Sequence, residues 1–176
     1  MTDPSSPHGE RRHLTLVRHA EAAPARDGED DRERALTERG RRAARALAAR
    51  LEGNGGAVAD GPAVDAVVSS DATRTRQTLE VLAPALGRAA RDAAVEGALY
   101  LAGADALAAR ADAAFGAGAR HALIVGHNPG LERLYARLVG APGATLAPGE
   151  RVTLRLAGAT ASPGDAEPVA RDAPAG

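Results

Sequence analysis

The sequence predicts a three-layer α/β/α sandwich on a mostly parallel sheet. Strand-like and helix-like segments alternate along the chain, the pattern of a sheet covered by helices on both faces. VDAVVSS (64–70) and HALIVGH (121–127) read as buried strands, and the 176 residues suit one domain with a sizeable core.

Taken in order, residues 1–12 are polar and Pro-containing, a flexible arm. His13 to Val17 is the first strand. PARDGEDDRER (24–34) is a mixed-charge loop, read as solvated surface. Thr37 is placed to cap a helix over ERGRRAARALAARLEG, where Ala44, Leu47 and Leu51 line one face and Gly53, Gly55 and Gly56 end it. The strand at 64–70 follows, then a helix from DATRTRQTLEVLA with Asp71 as its cap and Pro84 at its end. A short strand near Ala93 to Val95 precedes a helix over 104–115. After 121–127, Asn128 and Pro129 form a cap and first-turn pair for GLERLYARLVG. RVTLRLAG (151–158) alternates as a last strand near an edge. Beyond it, 158–176 is small, polar and Pro-rich and is expected to be disordered. The folded domain is thus expected over 13–157.

Composition removes several function classes. Aromatics are 2% of residues, so the core is built from Ala, Val and Leu and there are few stacking platforms for single-stranded nucleic acid. A net charge of −1 supplies no global field for nucleic acid either. Cysteine is absent, which removes disulfides and thiolate chemistry. All 22 basic residues are Arg, so there is no P-loop lysine and no Schiff base, while guanidinium forks for oxyanions are plentiful. The N-terminus lacks the apolar stretch of a signal peptide and no run is long enough to span a membrane. The expectation is a soluble, cytoplasmic protein with no nucleic-acid or membrane partner.

Three strands end in chemistry that folding does not require. Arg18 and His19 follow the first, Ser70 to Arg74 the second, and Gly126-His127-Asn128 the strand at 121–127. Ligands of such sheets bind beyond the carboxyl ends of the strands. Parallel strands would bring these endings to one edge, two of them running into helix N-termini that favour an anion. Two arginines, two histidines and two helix N-termini around one crevice suit a phosphoryl group. His8, His13 and His121 are read as surface or hydrogen-bonded residues.

The segments LVRHAEA, SSDATRTRQT and LIVGHNPGL, with RALTERG and ALYLAGADAL, resemble the signatures of the histidine phosphatase superfamily, the phosphoglycerate-mutase-like fold. The short chain is most similar to its SixA-type phosphohistidine phosphatases. The resemblance implies that His19 is the nucleophile and that Arg18 and Arg74 clamp the phosphoryl oxygens. It makes His127 a second imidazole on the same group, with Asn128 adding a backbone donor. It implies no metal and no cofactor. Members acting on esters use a carboxylate shortly before the third helix as general acid; Glu96 is the nearest here, with Glu21 a second candidate. The expected activity is a phosphatase with a phosphohistidine intermediate, acting on protein phosphohistidine. The alternatives are a phosphatase of small phosphate esters and a phosphate-binding module without catalysis.

Overall fold

The computed structural model of the chain describes residues 11–53, 61–158 and 160–174. Strand β1 (Arg12–Arg18) leads through a charged loop to helix α1 (Glu38–Gly53). Then come β2 (Ala66–Ser70), α2 (Thr73–Leu86), the short α3 (Arg88–Arg91) and β3 (Ala94–Glu96). Helix α4 (Ala104–Gly116), β4 (His121–Gly126) and α5 (Gly130–Val139) precede two final strands, β5 (Arg151–Leu156) and β6 (Ala166–Asp172). The sheet order is β3-β2-β4-β1-β5-β6. The pairs β3–β2, β2–β4 and β4–β1 are parallel, whereas β1–β5 and β5–β6 are antiparallel.

Alternate residues of each central strand face opposite layers, as the pleat requires. Leu14, Leu16, Ala122 and Ile124 join Leu107, Phe115, Leu131 and Leu134 of α4 and α5 in one core. Val17, Leu123 and Val125 join Leu47, Leu51, Leu79 and Leu82 of α1 and α2 in the other. With so few aromatics, both cores are mainly Leu, Ala and Val. At two positions helices approach backbone so closely that only glycine fits. A Cβ on Gly40 would lie 2.1 Å from the Glu21 carbonyl oxygen, and one on Gly130 would lie 1.9 Å from that of Ala102.

Thr37 caps α1, its Oγ1 accepting the Gly40 N–H at 2.9 Å. Other predicted ends differ. Asp71 does not cap α2: Ala72 holds that position, and the Asp71 carboxylate takes the Arg32 guanidinium at 3.1 Å instead. Pro84 lies inside α2, on its solvent face, where the carbonyl it leaves unpaired can meet water; the helix stops at Gly87, with φ 56°. Asn128 does not cap α5; its Nδ2 donates to the Leu146 carbonyl at 3.0 Å, and the Asn128–Pro129 peptide is cis.

The expected disordered tail is also corrected. Residues 166–172 form β6, paired along β5, which makes β5 an inner strand. Composition missed this because the strand is held by cross-strand charge pairs rather than by an apolar face. Asp172 accepts from Arg151, Glu167 from Arg155, and Arg171 donates to Glu150. Pro168 is tolerated because β6 is an edge strand, and a register shift between Thr153 and Leu154 lies opposite it. The arm expected over 1–12 lies outside the described residues up to position 10, and Arg12 already belongs to β1. Gly55 and Gly56 also lie outside them.

Candidate active site

Parallel pairing of β2, β4 and β1 aligns their carboxyl ends. Arg18 pairs with Gly126 and Ser69 with Val125, so His19, His127 and Ser70 emerge at one edge of the sheet. The His19 and His127 ring centroids are 5.2 Å apart. The N-termini of α2 and α5 open onto the same place, as the alternation implies.

His19 is held by its backbone and by one ring nitrogen. Its N–H donates to the Gly126 carbonyl at 3.1 Å, and Gly149 N–H returns to the His19 carbonyl at 3.1 Å. Nδ1 is 2.8 Å from the Ala20 carbonyl oxygen. A carbonyl only accepts, so Nδ1 carries the proton and the lone pair is left on Nε2. Burial, together with Arg74, Arg18 and Arg34, pushes the imidazole pKa down to about 4 against the opposing Ala20 bond. At neutral pH His19 is therefore an uncharged base with its lone pair aimed away from its own backbone.

His127 is buried, with Nε2 2.9 Å from Ser70 Oγ, which also accepts the Ala72 N–H at 3.3 Å. Its Nδ1 has no hydrogen-bond partner among the described residues. Burial first, then His19 and Arg74, hold His127 at about 3. It is an uncharged imidazole at neutral pH.

The two arginines are fixed differently. Arg18 donates from Nη1 to the Leu146 carbonyl at 2.9 Å, the same oxygen that Asn128 engages, and its buried Nε has no partner among the described residues. Arg74 is the second residue of α2 and only 3% exposed. Its Nη1 donates to the Asp31 backbone carbonyl at 2.5 Å and its Nη2 to Asp31 Oδ2 at 2.9 Å.

That partner was missed from the sequence. The charged loop is not merely solvated surface: its 3₁₀ turn (Asp31–Glu33) closes over the site. Asp31 Oδ2 also accepts from Tyr100 OH at 2.5 Å, and Oδ1 from Arg34 Nη1 at 2.7 Å. The Tyr100 ring stands edge-on to His127 at 5.4 Å, with the Arg32 guanidinium over it at 4.4 Å. Asp31, Arg34, Tyr100 and Ser70 thus complete the crevice. Within a run as charged as GEDDRER, no periodicity singles out one carboxylate; only the neighbouring RALTERG segment hinted that the region matters.

The two acid candidates have other partners. Glu96 is paired with Arg110, while Glu21 accepts from Thr37 Oγ1 at 2.8 Å and faces Arg39 at 3.5 Å, where it supports the start of α1. Among the described residues, no cluster of three or more His, Asp or Glu side chains could hold a metal ion, and no helix is long and apolar enough to cross a membrane.

A histidine with a free lone pair, set among arginines beyond a parallel sheet, defines a phosphoryl-handling enzyme of the α/β class. Residues 14–97 match the histidine phosphatase superfamily (branch 1). A structure from Nakamurella multipartitia described as a phosphohistidine phosphatase SixA is 30% identical, with a TM-score of 0.76 over 99% of this chain and 100% of that one. A second such structure, from Agrobacterium tumefaciens, is 24% identical (TM-score 0.75; 93% and 98% covered). A protein histidine phosphatase SixA complexed with tungstate is 23% identical (TM-score 0.74; 90% and 95% covered). A search of curated protein sequences finds no significant match. The chain belongs to the histidine phosphatase superfamily and is a phosphatase.

Proposed function

We propose that the protein hydrolyses phosphohistidine on other proteins, without a metal, through a phosphoryl group carried on its own His19. The observation that carries this reading is the His19 tautomer: with Nδ1–H spent on the Ala20 carbonyl, Nε2 is bare, uncharged and set among arginines. In the first step the Nε2 lone pair attacks phosphorus and the bond to the leaving imidazole breaks. An imidazole already protonated on its other nitrogen leaves neutral. In the second step water attacks phosphorus, the P–Nε2 bond breaks with its electron pair returning to Nε2, the water proton leaves with the phosphate, and His19 regains its starting tautomer. Arg18 and Arg74 steady the charge spread over the phosphoryl oxygens, which is most of what a loose transition state needs. His127 adds a second imidazole, its Nδ1 unpartnered among the described residues, and the Asn128 backbone N–H a further donor.

The substrate class is supported by the SixA neighbours, one of which holds tungstate, a tetrahedral oxyanion shaped like phosphate. A phosphatase of small esters is the second reading, and the carboxylate on Arg74 favours giving it weight. A binding module without catalysis has no need for an imidazole held in its nucleophilic tautomer.

The test is a phosphohistidine-bearing protein, labelled on phosphorus, mixed with the enzyme and quenched in alkali. The label is expected on His19 as an acid-labile, alkali-stable adduct, with His19→Ala giving neither adduct nor phosphate release. Label on Ser70 or Thr73, or turnover by His19→Ala, defeats the mechanism. Unchanged turnover in EDTA is expected; loss of activity there defeats the metal-free part of it.

A further inference from the structure

Two large hydrophobic side chains stand exposed among the described residues, Val95 and Leu101. Val95 belongs to the edge strand β3, where a β-branched residue is at home, and lies beside Leu79 and Ala90. Leu101 has no such setting. It is 51% exposed, and its backbone lies at φ 49°, where every other described residue of positive φ is glycine. A Cβ is disfavoured in this left-handed region, and glycine or asparagine would fit more easily. A leucine that neither fills the core nor relaxes the chain has its use outside the folded molecule.

Its position gives that use a direction. Leu101 directly follows Tyr100, whose ring stands against His127 and whose hydroxyl reaches Asp31. The turn that carries it is fixed on both sides. Tyr100 N–H donates to the Gly97 carbonyl at 3.1 Å, and Ala102 N–H to that of Leu99 at 3.3 Å. Leu99 is buried, and the Ala102 carbonyl lies so close to Gly130, at the start of α5, that no Cβ fits between them. The leucine is thus mounted rigidly, one residue from the crevice wall, and gives up little backbone freedom when covered.

We propose that Leu101 is a docking anchor for the phosphorylated partner, taking an apolar side chain that neighbours the phosphohistidine in the partner's chain; the inference rests on the phosphatase reading above. A histidine side chain is short, so a phosphohistidine that reaches His19 brings its own neighbours down onto the rim. There Leu101 is a preformed apolar knob, and contact with an apolar neighbour removes both from water. Covering most of one leucine side chain raises affinity about tenfold or more. A small phosphoramidate has no such neighbour, and its turnover does not depend on Leu101. The anchor therefore sorts partners by the residue beside the phosphohistidine, whereas Arg18 and Arg74 meet the same phosphoryl group in all of them.

The experiment uses the full chain and three substrates: phosphoramidate, and two phosphohistidine peptides that differ only in carrying Leu or Ser on either side of the phosphohistidine. Comparing the two peptides cancels the cost of ordering a peptide. The wild type is expected to favour the Leu peptide about tenfold in kcat/KM, through KM. Leu101→Asn suits the left-handed backbone but is polar. It is expected to lose the preference, with phosphoramidate turnover unchanged and a melting temperature at or above that of the wild type. Leu101→Met is expected to keep most of the preference. No preference in the wild type, a preference that survives in Asn, or one lost as fully in Met as in Asn overturns the docking role and leaves the phosphatase reading standing. A fall in phosphoramidate turnover or melting temperature in Asn also overturns it, since Leu101 would then serve the fold or the placement of Tyr100. A wild type that hydrolyses none of the three substrates overturns both readings together.

Discussion

Arg74 illustrates how a single side chain can matter by shape as well as by charge. Buried and held through both terminal nitrogens, it presents a planar fork that an ammonium cannot copy. Arg74→Lys is therefore expected to cost nearly as much as Arg74→Ala, roughly 10²–10³ in kcat, the usual loss when a donor aimed at transition-state charge is removed. Near-normal turnover by the Lys variant in steady-state assays would remove the clamp from the mechanism. Ser70 makes a related point: one hydroxyl, accepting from Ala72 N–H and 2.9 Å from His127 Nε2, fixes the orientation of the His127 ring.

Among the elements, β6 changes what the C-terminal segment is worth. Arg151 on β5 is buried and Asp172 on β6 neutralises it; Glu150, also buried, is neutralised by Arg171. Removing one partner of a buried pair strands the other charge, at about 3 kcal/mol. Asp172→Ala is expected to lose that amount in chemical denaturation, and deletion of 160–176 to lower the melting temperature. Equal melting of the truncated and full chains would show that β6 adds nothing to the sheet. Because Arg18 N–H bonds to the Glu150 carbonyl at 3.1 Å, the same strand pair also steadies the end of β1 that carries the site.

Over the whole molecule, neutral buried histidines set the response to acid. His19, His121 and His127 are lowered to about 4, 4 and 3, and His13 is lowered too, burial being the first cause in each. His121 is locked at the far end of the sheet from the site, its Nδ1–H on the Pro62 carbonyl and its Nε2 on Thr15. Between the ordinary histidine value and these depressed ones, the unfolded chain binds protons that the folded chain refuses. Stability therefore rises with pH through that window and is lost as pH falls through it. The melting temperature is expected to be flat above about pH 7 and to fall steadily toward about pH 4.5. A stability profile that is level across this range would show that the histidines are not buried as described.

Local pattern was enough for the alternating elements, the Thr37 cap, the leucine faces of the helices and the convergence of Arg18, His19, Arg74 and His127, because strand periodicity and parallel order place strand ends without knowledge of contacts. It failed wherever a polar side chain had a choice of partners. Asp71 and Asn128 have the chemistry of caps, yet Arg32 and the Leu146 carbonyl take them. Asp31 sits in a run of acidic and basic residues that looks solvated, and β6 has the composition of a tail. In each case the deciding partner is distant in the chain: 43 positions for Asp31 and Arg74, 21 for Arg151 and Asp172. Hydrophobic burial follows a short period that a linear reading detects. Charge pairing and tautomer choice depend on which donor the folded backbone brings within about 3 Å, and only the tertiary structure decides that.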